Sequence, residues 1–134
     1  MVARQLFARL NVNPLNQTFP KAERLASKKI IKELFDKGSS LYLYPFRLLY
    51  FFADDSVHLP QVLFTVPKRH FKKAVVRNRI KRRLREAYRL QKSSLFLHSE
   101  KKIPAYIGIL YIAKEENSFE MIEKKLILAL KRLS

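Results

Sequence analysis

"QVLFTVPKRHFKKAVVRNRIKRRLREAYR", Gln61 to Arg89, changes its period partway along. The opening six residues are rich in β-branched and apolar side chains and read as a strand over 61–66. Pro67 withdraws a backbone donor and ends it. From about Lys72 to Gln91 the apolar residues recur at helical spacing. On a wheel, Ile80, Leu84, Ala87 and Tyr88 gather on one side. Asn78, Arg82, Arg85 and Arg89, spaced i, i+4, i+7 and i+11, form a straight polar stripe opposite, flanked by Lys81 and Arg79. Such a helix lays its apolar edge on a sheet and turns a row of guanidinium groups outward.

Upstream, "SKKIIKELFDKG" (27–38) reads as a short helix. Ser27 is an N-cap, Ile30, Ile31, Leu34 and Phe35 make one apolar stripe, and Gly38 is the stop. "LYLYPFRLLYFFADDSVHLPQVLFTV" (41–66) reads as strands at 41–44, 46–53 and 61–66, with a turn at Asp54-Asp55-Ser56. Pro45 and Pro60 mark strand starts, bulges or edges. After the basic helix comes a Ser/Lys-rich connection with a helical turn near 94–98. "AYIGILYIA" (105–113) is the last strand. "NSFEMIEKKLILALKRLS" (117–134) is the last helix, with Asn117 and Glu120 suited to a capping-box variant. Helix, three strands, helix, strand, helix predicts an α+β fold, a two-layer sandwich of helices on a mixed sheet. Residues 1–20 read as an extended N-terminal arm and 21–134 as one domain.

The charge is one-sided. The chain of 134 residues carries 28 Lys+Arg against 11 Asp+Glu, a net +17. From Lys68 to Arg89, 11 basic residues face one acid, Glu86. A solubilising surface intersperses both signs; this sequence concentrates one. With 48% hydrophobic residues the chain is no disordered basic tail. Cysteine is absent, which excludes disulfides and thiolate metal sites. No apolar run approaches the ~18 residues that span a bilayer, and residues 1–24 lack a signal-peptide core, so the expected location is the cytoplasm.

Arg is the informative cation. Its planar fork bonds phosphate oxygens in pairs, whereas Lys acts as a point charge. Like charges at i, i+4 cost a few tenths of a kcal/mol per pair, and a bound polyanion offsets that cost. About 6–10 phosphate contacts imply an affinity loss of roughly 10³–10⁵-fold between 50 and 200 mM salt. Charge alone favours nucleic acid and does not choose RNA over DNA. A basic helix on a membrane surface is disfavoured for want of a Trp anchor and a wide apolar face.

A protein-borne hydrolytic centre is not expected. Metal nucleases need converging carboxylates. Asp54 and Asp55 are adjacent and suit a turn, Glu115 and Glu116 suit the dipole of the last helix, and His58, His70 and His98 are scattered. No residue is assigned as catalytic or metal-ligating. Between 42 and 52 the even positions, Tyr42, Tyr44, Phe46, Leu48, Tyr50 and Phe52, read as core. The odd positions, with Arg47 among Leu43, Leu49 and Phe51, read as a surface for unpaired bases.

"KRHFKKAVVRNRIKRRLREAYR" resembles the signature of the bacterial ribonuclease P protein subunit: Ala74-Val75, then Arg77-Asn78-Arg79, Ile80-Lys81-Arg82 and Arg85-Glu86. "ERLASKKIIKELFDKGSS" is similar to that family's opening, and the strands and last helix follow in order, so the resemblance spans about 22–133. The family usually has Gly shortly before the Ala-Val pair; Lys72 stands there. The resemblance implies an α-β-β-β-α-β-α sandwich like a domain of a small-subunit ribosomal protein, crossing between parallel strands in the left-handed sense, against the usual rule. It implies a monomer that joins a catalytic RNA to remove the 5′ leader of precursor tRNA, with Mg²⁺ serving the RNA and no cofactor in the protein. It implies RNA-subunit contacts from Arg77, Asn78, Arg79, Lys81, Arg82, Arg83, Arg85 and Arg89, with Lys68, Arg69, Lys72 and Lys73. First-helix positions Lys28, Ile31 and Phe35 join Arg47, Leu49 and Phe51 in a leader cleft. Replacing Arg77 and Arg79 is expected to weaken RNA binding with little change in melting temperature. A ribosomal protein of similar architecture is the alternative.

Overall fold

Ser27 opens the first helix as its sequence requires: its Oγ accepts from the Ile30 amide and its carbonyl from the Ile31 amide. Helix α1 then runs Lys28–Lys37. The strands are β1 Ser39–Leu43, β2 Phe46–Phe51, β3 Gln61–Thr65 and β4 Tyr106–Tyr111, with α2 Ala74–Phe96 before β4 and α3 Phe119–Leu133 after it. A single 3₁₀ turn, Lys21–Glu23, precedes α1. The computed structural model describes residues 19, 21–52, 60–96 and 103–133. The Asp54-Asp55-Ser56 turn, His58, His98 and all of the arm except Phe19 lie outside them.

The sheet order is β1-β2-β4-β3, with β3 and β4 parallel and the other pairs antiparallel. Helix α2 is the crossover between the parallel pair. It extends past the expected Gln91 to Phe96, taking in Ser93, Ser94 and the first residues of the turn expected near 94–98, whose last two residues lie outside the described ones. Serine lies only modestly below the best helix formers in propensity, so two serines do not end a helix.

One face of the sheet carries the main core. Leu41 and Leu43, Phe46 and Leu48, Val62 and Phe64, and Ile107, Ile109 and Tyr111 meet the apolar edges of α2 and α3. All four wheel residues of α2, Ile80, Leu84, Ala87 and Tyr88, are completely buried there. Phe19, assigned to the expected arm of residues 1–20, packs edge-on against Phe64 and Tyr88 and so belongs to the domain.

The alternation expected over 42–52 holds within β2 and fails across the turn. Residues 44 and 45 form a two-residue turn, and the register Leu43↔Phe46, Tyr42↔Arg47 pairs even with odd positions. Parity therefore inverts at the hairpin: Tyr42 joins the face of Arg47, Leu49 and Phe51, and Leu43 joins the core. Tyr42, Tyr44 and Phe52 are exposed, against the expected core positions.

That second face is covered by α1 through a smaller cluster. Leu34 and Leu49 are buried with Leu25, ringed by Ile30, Ile31, Phe51, Leu63, Tyr106 and Leu110. The chain has two glycines, and both make room for Leu34. A Cβ on Gly108 would stand 3.1 Å from Leu34 Cδ2; one on Gly38 would stand 2.4 Å from the Leu34 carbonyl oxygen. Gly38 ends α1 in an extended conformation (φ −69°, ψ 148°), so close approach rather than left-handed backbone selects it. Gly38→Ala is expected to cost about 2 kcal/mol, because a backbone oxygen must shift. Gly108→Ala, which displaces only a side-chain tip, should cost less. Urea denaturation of the two variants checks the ranking.

Candidate nucleic-acid interface

The approach to α2 is a basic loop held by one aromatic anchor. Phe71 is buried, with its ring 5.8 Å from that of Tyr111, while Lys68, Arg69, Lys72 and Lys73 around it are exposed. The amides of His70 and Phe71 turn back onto the Pro67 carbonyl. Arg77 closes the loop: its Nη1 donates to the carbonyls of Phe71 (2.8 Å) and Lys72 (2.9 Å). Arg77 therefore braces the loop, and the expectation that its replacement changes melting temperature little is revised. The Lys72 carbonyl accepts one of these bonds.

Along α2 the stripe is exposed where the wheel places it. Asn78, Arg82 and Arg85 are exposed, and among the described residues Arg82 and Arg85 have no hydrogen-bond or ion-pair partner. Arg89, at the end of the row, is half-buried and bonds Glu86 at 2.7 Å. Lys81 flanks the row, partly exposed.

The other flank is tied to the protein. Arg79 Nε donates to both carboxylate oxygens of Glu116, at 2.7 and 2.9 Å. Arg83 Nη1 donates to the Asn117 carbonyl at 2.9 Å and stands 3.7 Å from the same carboxylate. Both acceptors lie on the β4–α3 connection, which is itself fastened to buried Tyr111. The Tyr111 hydroxyl donates to the Glu115 carbonyl (2.6 Å) and accepts from the Asn117 amide (2.9 Å) and Asn117 Nδ2 (2.7 Å). The Tyr44 hydroxyl donates to the Glu115 carboxylate. Two expectations change here. Glu116 serves Arg79 rather than the helix dipole. Ser118, not Asn117, caps α3: its Oγ accepts from Met121 and its carbonyl from Ile122.

The hydrogen bond from Arg79 holds the Glu116 carboxyl below the usual glutamate value, against a smaller opposing effect of burial. A carboxylate whose folded pKa is depressed stabilises the fold above its unfolded value and loses that contribution as pH falls through the folded one. The Arg79–Glu116 pair should therefore survive below the ordinary glutamate range. A carboxyl NMR titration should show a low Glu116 midpoint that rises in Arg79→Ala.

On the opposite side of the sheet, the residues expected to form a leader cleft separate into floor and rim. Leu49 is 2% exposed under Leu34 and is core, so it offers no stacking surface. Ile31 and Phe51 are partly buried at the margin of the same cluster. Lys28 is exposed, and Phe35 is 48% exposed. Arg47 lies with its guanidinium carbon 5.2 Å from the centroid of exposed Tyr42. Tyr42 stands beside Arg47 rather than in the core because the hairpin inverts parity. Among the described residues no group of three or more His, Cys, Asp or Glu is placed to hold a metal ion, and no helix is long and apolar enough to cross a membrane.

A four-stranded mixed sheet with a crossover helix whose outer edge is an open row of arginines defines a nucleic-acid-binding α+β protein. A family profile described as Ribonuclease P matches residues 19–134. The chain belongs to that family. The ribonuclease P protein component of Porphyromonas gingivalis strain W83 is 34% identical over 116 residues, covering 85% of each chain. That of Geobacter sp. strain M21 is 36% identical over 118 residues, 88% of this chain and 94% of the relative. The ribonuclease P protein of Thermotoga maritima is 26% identical and superposes with a TM-score of 0.66 over 83% of this chain and 97% of its own. The function is that of the protein component of a ribonucleoprotein enzyme of tRNA 5′ maturation, whose catalysis lies in the RNA.

Proposed function

We propose that the exposed row of Asn78, Arg82 and Arg85, with Lys81 beside it, docks on the ribonuclease P RNA subunit. Lys68, Arg69, Lys72 and Lys73 continue the contact along the loop. The observation that carries this reading is that Arg82 and Arg85 stand side by side on one helix face, exposed and with no partner among the described residues. Unneutralised guanidinium groups in a row match the spacing of a phosphate backbone and release counterions when they meet it. Arg77, Arg79, Arg83 and Arg89 each have a nitrogen engaged by the protein, and act as the ordered margin of this surface.

The 5′ leader of precursor tRNA is assigned to the other face of the sheet, along the rim of α1. Phe35, Tyr42 and Phe51 supply rings for unpaired bases, Lys28 and Arg47 supply charge, and Ile31 supplies apolar contact. Divalent Mg²⁺ enters with the RNA, where it supports hydrolysis; the protein side chains bind and orient. Reconstitution with a bacterial ribonuclease P RNA at low Mg²⁺ tests the reading. Precursor-tRNA cleavage well above the rate of RNA alone is expected, and no gain would defeat it.

A further inference from the structure

We infer that Glu116 is a positioning residue of the RNA-binding face: it grips Arg79 through Nε alone and so aims the outer edge of that guanidinium, Nη1 and Nη2, at a phosphate of the partner RNA. The inference rests on the reading that the α2 face binds RNA. A guanidinium has five N–H donors, one on Nε and four on the two Nη atoms. Both carboxylate contacts, at 2.7 and 2.9 Å, go to Nε. The Nη donors of Arg79 have no partner among the described residues, and its side chain is 41% exposed. The carboxylate thus takes the single Nε donor and leaves the Nη fork that matches a phosphate.

The bracket that presents Glu116 is itself rigid. Asn117 is bonded twice to the hydroxyl of Tyr111, a side chain 1% exposed, and its carbonyl takes Arg83 by Nη1. Buried Tyr111 therefore fixes the β4–α3 connection, the connection fixes Glu116, and Glu116 fixes Arg79. An exposed arginine otherwise loses much of its rotamer freedom when it meets a phosphate. Glu116 imposes that loss in advance, in the folded protein.

A carboxylate near phosphates also repels them, so the test must separate acceptor from charge. Glu116→Ala and Glu116→Gln both remove the charge, and only Gln keeps an oxygen for Nε–H. With ribonuclease P RNA as the probe, Glu116→Ala should bind about fivefold more weakly than Glu116→Gln, with matched salt dependence. In an Arg79→Ala background the two variants should bind alike. Equal binding of the two when Arg79 is present overturns the inference. A difference that persists without Arg79 also overturns it, since that would report general damage to the loop. Arg79→Ala alone keeps the two failures apart. If it leaves affinity and salt dependence unchanged, the RNA-facing reading of this flank fails. If it weakens binding while the Ala and Gln variants agree, only the positioning role fails.

Discussion

Arg82→Ala with Arg85→Ala is expected to weaken binding to ribonuclease P RNA by about 10²-fold at moderate salt, at roughly tenfold, or 1.4 kcal/mol, per lost contact. The slope of log affinity against log salt should flatten by about two, close to one per phosphate contact removed. Melting temperature should stay within the small range of surface substitutions, because neither side chain touches a described residue through a hydrogen bond or ion pair. Filter binding across a salt series reads affinity and slope together, and thermal denaturation reads the fold. Net charge must be separated from position. Lys124→Ala with Arg132→Ala removes the same two charges from exposed sites on α3, and its effect should be a few-fold at most. An equal loss in that pair would mean that the protein binds RNA through its overall field, and that the row on α2 has no special part.

The apolar edge of α2 could be read from the sequence because a helix fixes the angle between successive residues. Once Ile80, Leu84, Ala87 and Tyr88 are assigned to one edge, the opposite position of Arg82 and Arg85 follows from geometry alone. A hairpin carries no such guarantee. The direction of Tyr42 depends on how many residues the turn at 44–45 consumes, and one residue more or fewer would have sent it to the other face. The same limit explains Leu49. Its alternation with Arg47 is visible in the sequence, but its burial comes from α1 landing on it, which depends on both glycines lying beside Leu34. Least legible were the partners of the charges. Glu116 is 37 residues from Arg79, and Glu23 is 69 from Lys92. Neither spacing follows a helix or strand period. The sequence shows that the basic segment is under-neutralised, and only the fold shows which of its arginines meet a carboxylate and which have no partner among the described residues.

Lys92→Met is expected to be the most damaging of the substitutions to the fold, at about 3 kcal/mol, or roughly 10 °C in melting temperature for a chain of this size. Lys92 lies on α2 beyond the RNA row, 1% exposed, and its Nζ donates to Glu23 Oε1 at 2.6 Å; Glu23 is itself only 15% exposed. The pair fastens the segment before α1 across the edge of β3. There Arg24 bridges to Val62, the Leu25 amide donates to the Val62 carbonyl at 3.0 Å, and Phe19 closes over Phe64 and Tyr88. Removing the ammonium alone leaves a carboxylate with little access to water, and that is where the cost arises. A second substitution distinguishes this from simple loss of contact. Glu23→Leu added to Lys92→Met replaces both charges by apolar groups and should recover most of the stability, because desolvating an ion pair offsets much of its attraction. Urea denaturation of the single and double variants measures the recovery. If the double variant is as unstable as Lys92→Met, the loss lies in the other contacts of Lys92. If the single variant is nearly neutral, the segment from Phe19 to Leu25 is held by its apolar contacts and backbone bonds, and the charges are incidental to it.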